Sequence, residues 1–249
     1  MALAVVATLV GAAMQSATGF GFALILSPAL FAVLDRYEAV TALLALGVVL
    51  SLLVLFEGGR AGPVRWRQLV PVLAAALPGL ALGAAVLALL SKATLQILVG
   101  VVVVAVAARQ LRSRLAGRAP AAATSHSSAV AVGLASGVLT TSINVSGPPL
   151  VLWLESRGLP PVEMRATLAA LFLVLNLAGG AVLLVAAGAD RAVSLDVLLP
   201  LGGLVVVGYL AGARAFERLD RRRFSLALLG LVTVTGIASV VAGALSHAG

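Results

Sequence analysis

Two short stretches cluster small polar side chains with glycine or proline in the middle of long apolar runs. The first is Gln15-Ser16-Ala17-Thr18-Gly19-Phe20-Gly21-Phe22. The second is Thr140-Thr141-Ser142-Ile143-Asn144-Val145-Ser146-Gly147-Pro148-Pro149. Gln, Ser, Thr and Asn supply neutral donors and acceptors. Glycine and proline beside them end one helix and let another begin. A half-helix that starts at mid-membrane points unpaired N–H groups and a partial positive charge at its tip. That arrangement binds anions. Gly147-Pro148-Pro149 suits such a start, because proline is favoured in the first helical turn. Glycine lets a ligand approach the backbone. Gly19-Phe20-Gly21-Phe22 takes the matching part in the first stretch.

The candidate ligands are therefore Gln15, Ser16, Thr18, Gly19, Gly21 and Phe22 from one stretch. Thr140, Thr141, Ser142, Asn144, Ser146, Gly147 and Pro148 come from the other. Taken singly, a serine or threonine here also serves close helix packing. Asn176 lies mid-helix at a depth from which it could reach the tips. Arg165 opens a helix after Pro160-Pro161. It either draws anions to the cytoplasmic mouth or simply flanks the membrane.

Composition fixes the surroundings of these residues. The 249 residues are 61% hydrophobic and 10% charged, with mean hydropathy +1.15. Soluble domains carry about 25% charged residues, so most of this surface must face lipid. The net charge is +8, but the arginines fall between apolar runs, where they flank a membrane. No basic face with interleaved aromatics suggests nucleic acid. There is no cysteine, which excludes disulfides and thiolate metal sites. His126 and His247 are isolated, so neither a metal nor another cofactor is expected. No nucleophile, metal cluster or acid–base pair lies within an apolar run, which argues against an enzyme. The apolar run beginning at Ala2 lacks the basic flank and cleavage site of a signal peptide, and is expected to remain in the mature protein.

The elements that must position the candidates are charge-free runs at 2–34, 39–56, 68–91, 93–108, 119–154, 166–189, 197–213 and 224–246. One crossing needs about 20 residues. Six runs fit a single crossing. The first and fifth are too long, and both contain a polar break. The halves also match. At an offset of 126, Gly11, Ser16, Gly21, Leu24 and Thr41 meet Gly137, Ser142, Gly147, Leu150 and Thr167. At an offset of 129, Pro71, Gly79 and Gly83 meet Pro200, Gly208 and Gly212. The GxxxG pairs Gly79/Gly83 and Gly208/Gly212 read as helix packing. The chain thus divides into a first repeat (1–115), a cytoplasmic linker (116–128, with its Arg-rich approach from 109) and a second repeat (129–249). Arg118–Ser128 and Arg221–Arg223 read as solvated loops.

Loop charge decides the topology. If every run crosses once, eight basic residues fall on one side and nine on the other. If the two long runs are re-entrant hairpins, Arg36, Lys92 and Arg191 share one side and the other fourteen lie opposite. The positive-inside rule prefers the second arrangement. The expected fold is then an all-α polytopic membrane protein of eight hydrophobic segments in two inverted repeats. Each repeat is a broken, re-entrant hairpin plus three transmembrane helices. Both termini are periplasmic, and the chain sits in the bacterial inner membrane. Inverted repeats with broken helices place a binding site near the midplane.

All nine acidic residues lie between the runs, away from where a proton or sodium relay needs a carboxylate. Export of an anion needs no such relay. With the interior negative, moving one negative charge outward gains about 2.3 kcal/mol per 100 mV. A passive anion channel, or a carrier of another small anion such as a carboxylate, stands as the alternative. The partners implied are a small anion and the bilayer, with a second copy of the chain, as a homodimer, a further candidate.

The motifs also carry a family resemblance. Gly11-x7-Gly19-Phe20-Gly21-Phe22-x5-Pro28, Gly133-x3-Gly137-x9-Gly147-Pro148-Pro149 and Arg165-Ala166-Thr167 resemble the sulfite exporter TauE/SafE family of membrane permeases, over the whole chain. The resemblance implies export of sulfite, sulfoacetate or a related organosulfonate. The first break has Gly-Phe-Gly-Phe where three glycines are common in the family, which leaves the substrate open.

Overall fold

The computed structural model describes residues 2–56, 62–116, 126–216, 233–234 and 236–245. Within these the chain is helical: α1 (Ala2–Thr18), α2 (Phe22–Val33), α3 (Arg36–Leu55), α4 (Trp66–Leu89), α5 (Lys92–Ala116), α6 (His126–Ile143), α7 (Gly147–Glu155), α8 (Pro161–Ala187) and α9 (Leu195–Phe216). A further apolar helix, α10, covers Gly236–Leu245. Four of the described helices are long and apolar enough to cross a membrane: Arg36–Leu55, Trp66–Leu89, Val162–Ala187 and Leu195–Arg214.

Local sequence explains the boundaries. The Asp35 carboxylate accepts from the Tyr37 N–H at 3.3 Å, and Glu38 accepts from the Asp35 N–H at 3.1 Å. This pair caps α3. α8 opens on Pro161, where a missing N–H costs nothing. Both expected breaks are present, at residues 19–21 and 144–146. α5 continues through residues 109–116, which the sequence suggested as the start of the linker. Arg, Leu, Gln and Ala are good helix formers, so charge there ends the apolar stretch and not the helix. The Arg118–Ser128 loop lies outside the described residues apart from the backbone of 126–128, which opens α6. Arg221–Arg223 and His247 also lie outside them.

The helices interlock across the halves. α4 packs on α6 and α9 packs on α1, while α3 lies against α8. The glycines permit the first two contacts. A side chain on Gly79 would strike the Leu134 carbonyl, and one on Gly137 the Ala76 carbonyl. A side chain on Gly208 would lie 2.6 Å from the Leu9 carbonyl, and one on Gly212 2.5 Å from Ala13 Cα. So the GxxxG pairs do serve close packing. α5 meets α10 in the same way, with the Ser239 hydroxyl donating to the Gln96 carbonyl at 2.9 Å. Thr41 and Thr167 each accept from a loop N–H of the other half, from Val193 at 2.9 Å and from Arg65 at 3.3 Å.

Candidate functional site

The first break folds α2 back beside α1. A Cβ on Gly11 would lie 3.1 Å from the Phe22 ring and 3.1 Å from its carbonyl oxygen, a closeness that helices set end to end do not allow. Gly19 and Gly21 take φ of +82° and +108°, the left-handed region that glycine enters without strain. A side chain on Gly21 would also run into Met14. The Thr18 hydroxyl lies 2.9 Å from the Met14 carbonyl and 2.7 Å from the Phe20 carbonyl, so this tip closes on itself. Behind it stands Arg165. A Cβ on Gly19 would be 3.1 Å from Arg165 Cγ. The Arg165 guanidinium donates to the Tyr209 hydroxyl at 3.3 Å, which in turn donates to the Leu53 carbonyl at 3.3 Å.

The second break is built differently. Asn144 takes φ 56°, a conformation that asparagine tolerates better than most residues and often uses to end a helix. Its amide then donates to Asn176 Oδ1 at 3.2 Å. The carbonyl of Ile143, the last residue of α6, accepts from the Ser27 hydroxyl at 2.9 Å. This tip is thus tied to α8 and α2, whereas the first is tied mainly to itself.

The two tips meet. Gly147 lies between the rings of Phe20 and Phe172, with a Cβ there 3.8 Å from one and 3.6 Å from the other. Between the tips is a cavity of about 30 Å³, room for about two water molecules. Its wall includes Phe20 to Leu24, at the first break and the start of α2, and the second break from Asn144 to Pro148. Gln15 and Asn176 complete the polar lining. No residue on the wall is titratable. The donors are therefore amides, a hydroxyl and helix-start N–H groups. At α7 these N–H groups are few, because Pro148 and Pro149 have none.

Of the candidates from sequence, the cavity brings together Gln15, Gly21, Phe22, Asn144, Ser146, Gly147, Pro148 and Asn176. Seven others are not on its wall. Thr18 and Gly19 shape the first tip, and Arg165 supports it from behind. Ser16 is buried, and its hydroxyl has no hydrogen-bond partner. The hydroxyls of Thr140 and Ser142 donate to the carbonyls of Ser136 and Val138, four residues back, at 2.7 and 2.6 Å. That of Thr141 reaches the Leu80 carbonyl on α4 at 2.6 Å. A serine or threonine in an apolar helix can bond its own backbone four residues back, as Thr140 and Ser142 do, so its type alone does not reveal whether it is free for a ligand.

The sequence reading missed Phe20, Ala23, Leu24, Val145, Gly47 and Phe172, which also line the cavity. The first four lie at or beside the breaks. Gly47 and Phe172 sit in uninterrupted apolar runs. Depth was the available signal for Gly47, the twelfth residue of α3 and so about 16 Å along the helix, level with a mid-membrane tip. Outside the cavity, the Arg65 side chain bonds Glu163 at 2.6 Å. That hydrogen bond, then the carboxylate charge, raises the Arg65 pKa above its usual range. Among the described residues no group of three His, Asp or Glu side chains could hold a metal.

Membrane-length helices, two of the apolar stretches broken, and a small neutral cavity between the breaks mark a multi-pass membrane protein. The family model for the sulfite exporter TauE/SafE matches residues 3–239, and the chain belongs to that family. No curated protein and no solved structure matches it.

Proposed function

We propose that this protein exports a small sulfur-containing anion, sulfite or a compact organosulfonate, across the bacterial inner membrane. The anion is held between the N-terminal ends of α2 and α7. The observation that carries this reading is the facing of both helix starts across a cavity with no titratable side chain. The partial positive charge of a helix start favours an anion. A cation would find no carboxylate there. The small volume favours an ion of few heavy atoms.

The same proposal includes inverted repeats with both termini periplasmic. Two contacts support hairpins over eight single crossings. Arg36 and Arg191 both lie over the Tyr37 ring, at 5.2 and 5.3 Å. Arg65 pairs with Glu163. Eight single crossings would separate each of these pairs by the full bilayer. The exchange of partners between halves, α4 on α6 and α9 on α1, is what two inverted, interlocked repeats produce. The reciprocal Thr41 and Thr167 contacts fit the same symmetry.

The test is efflux from proteoliposomes loaded in turn with sulfite, sulfate, thiosulfate, sulfoacetate and short carboxylates. Saturable efflux of sulfite or sulfoacetate is expected, abolished by Ser146→Leu, which fills the cavity. Carboxylate efflux without sulfur anions, or anion efflux that survives Ser146→Leu, would sink the proposal.

A further inference from the structure

We propose that Gly47 on α3 sets the size of anion the site accepts, acting through Asn176 on α8. This rests on reading the cavity as an anion site. Gly47 and Asn176 both line the cavity. The Asn176 carboxamide occupies the space that the missing side chain of Gly47 leaves. A methyl group on Gly47 would overlap the Asn176 amide nitrogen and lie 3.2 Å from its Cγ. On the other side, Asn144 donates to Asn176 Oδ1 at 3.2 Å. The carboxamide is therefore wedged between α3 and the second tip. Its oxygen is engaged by Asn144, which leaves its NH2 as the group to offer an anion.

The consequence of filling the niche follows from what can yield. α3 and α8 pack along each other, and their backbones resist displacement. The amide is the far end of a two-torsion side chain, and the open volume beside it is the cavity of about 30 Å³. A methyl at position 47 turns the amide into that volume. One methyl group is then a large fraction of the space for ligand. Anions that share a sulfur head group but differ in the group attached are discriminated here. Gly47 has no side chain to offer the ligand and acts through Asn176, so it is a positioning residue.

The experiment compares sulfite with sulfoacetate, which adds a carboxymethyl group to the same head. The full-length chain is reconstituted as wild type, Gly47→Ala, Asn176→Ser and the double variant, and KM and kcat are measured for both anions. In Gly47→Ala the ratio of sulfoacetate KM to sulfite KM rises by about tenfold or more, the range for one carbon in a pocket. The double variant restores the ratio, because serine vacates the niche. A glycine needed only for packing would lower kcat for both anions alike and would not be rescued. Asn176→Ser alone leaves α3 untouched and lowers the ratio. It carries the test if Gly47→Ala gives no folded protein. An unchanged ratio in Gly47→Ala or in Asn176→Ser, or a shift that persists in the double variant, overturns the inference while wild-type transport upholds the anion site. Wild-type protein that carries neither anion overturns the anion reading and this inference with it.

Discussion

The Ser27 hydroxyl donates to the carbonyl of Ile143 across 116 residues of chain, at 2.9 Å. It braces the second break against α2. The residue at the same place in the second half is Trp153, at the offset of 126. Its indole N–H is buried with no hydrogen-bond partner, so the brace runs one way only. Ser27→Ala leaves the Ile143 carbonyl without that donor inside an apolar core. An unsatisfied buried acceptor costs about 1–3 kcal/mol. A lower melting temperature in detergent is expected, along with reduced flux. A melting temperature equal to wild type would show that the brace contributes nothing.

Asn144 does two things, and they can be separated. Its backbone supplies the left-handed turn that ends α6, and its side chain holds Asn176. Asn144→Gly keeps the turn, since glycine accepts φ 56° freely. It removes the amide. The expected result is a near-normal melting temperature with anion KM raised up to roughly tenfold, the worth of one hydrogen bond. Asn144→Val fails differently, because a β-branched residue at positive φ is strained by about 1–3 kcal/mol. Titrating anion binding against melting temperature for both variants separates the roles. If the glycine variant melts as early as the valine variant, the side chain is structural.

The breaks were legible in the sequence because glycine, proline and asparagine act locally. Gly19, Gly21 and Asn144 fix their own turns, and the halves could be aligned on them. Contacts were less legible. Ser142 and Asn144 are two residues apart and equally polar. One turns its hydroxyl back to the Val138 carbonyl, and the other reaches across to Asn176. Only the packing of α8 beside α6 distinguishes them. Depth alone could place Gly47 level with the tips, and its contact with Asn176 was hidden for the same reason, since it depends on what stands opposite. The extension of α5 through Arg109–Arg114 was hidden because hydropathy reports depth in the bilayer and not helix ends.

Two glycines in long helices give opposite expectations. A Cβ on Gly83 would strike the Val138 carbonyl and the Thr141 hydroxyl, whereas one on Gly180 meets nothing within 4 Å. Gly83→Ala forces α4 away from α6 and costs about 1–3 kcal/mol by overpacking. Gly180→Ala only removes backbone freedom, and stabilises by about 0.5–1 kcal/mol. Thermal unfolding of the two variants in one detergent should move the midpoint in opposite directions. A shift of the same sign in both would contradict the tight α4–α6 contact.

The ends of the molecule give the last test, because the chain has no cysteine and any introduced thiol reports alone. Asp190 lies beside Arg191, which shares the Tyr37 ring with Arg36. Val162 lies beside Glu163, the partner of Arg65. Both positions are exposed. The proposed topology puts fourteen of the seventeen basic residues at the Val162 end, and under the positive-inside rule it turns that end to the cytoplasm. A membrane-impermeant maleimide should label Asp190→Cys in spheroplasts and leave Val162→Cys unlabelled until the membrane is opened. Labelling of Val162→Cys alone would reverse the proposed orientation. Labelling of both from outside would contradict a single crossing by α8, near whose two ends these positions lie.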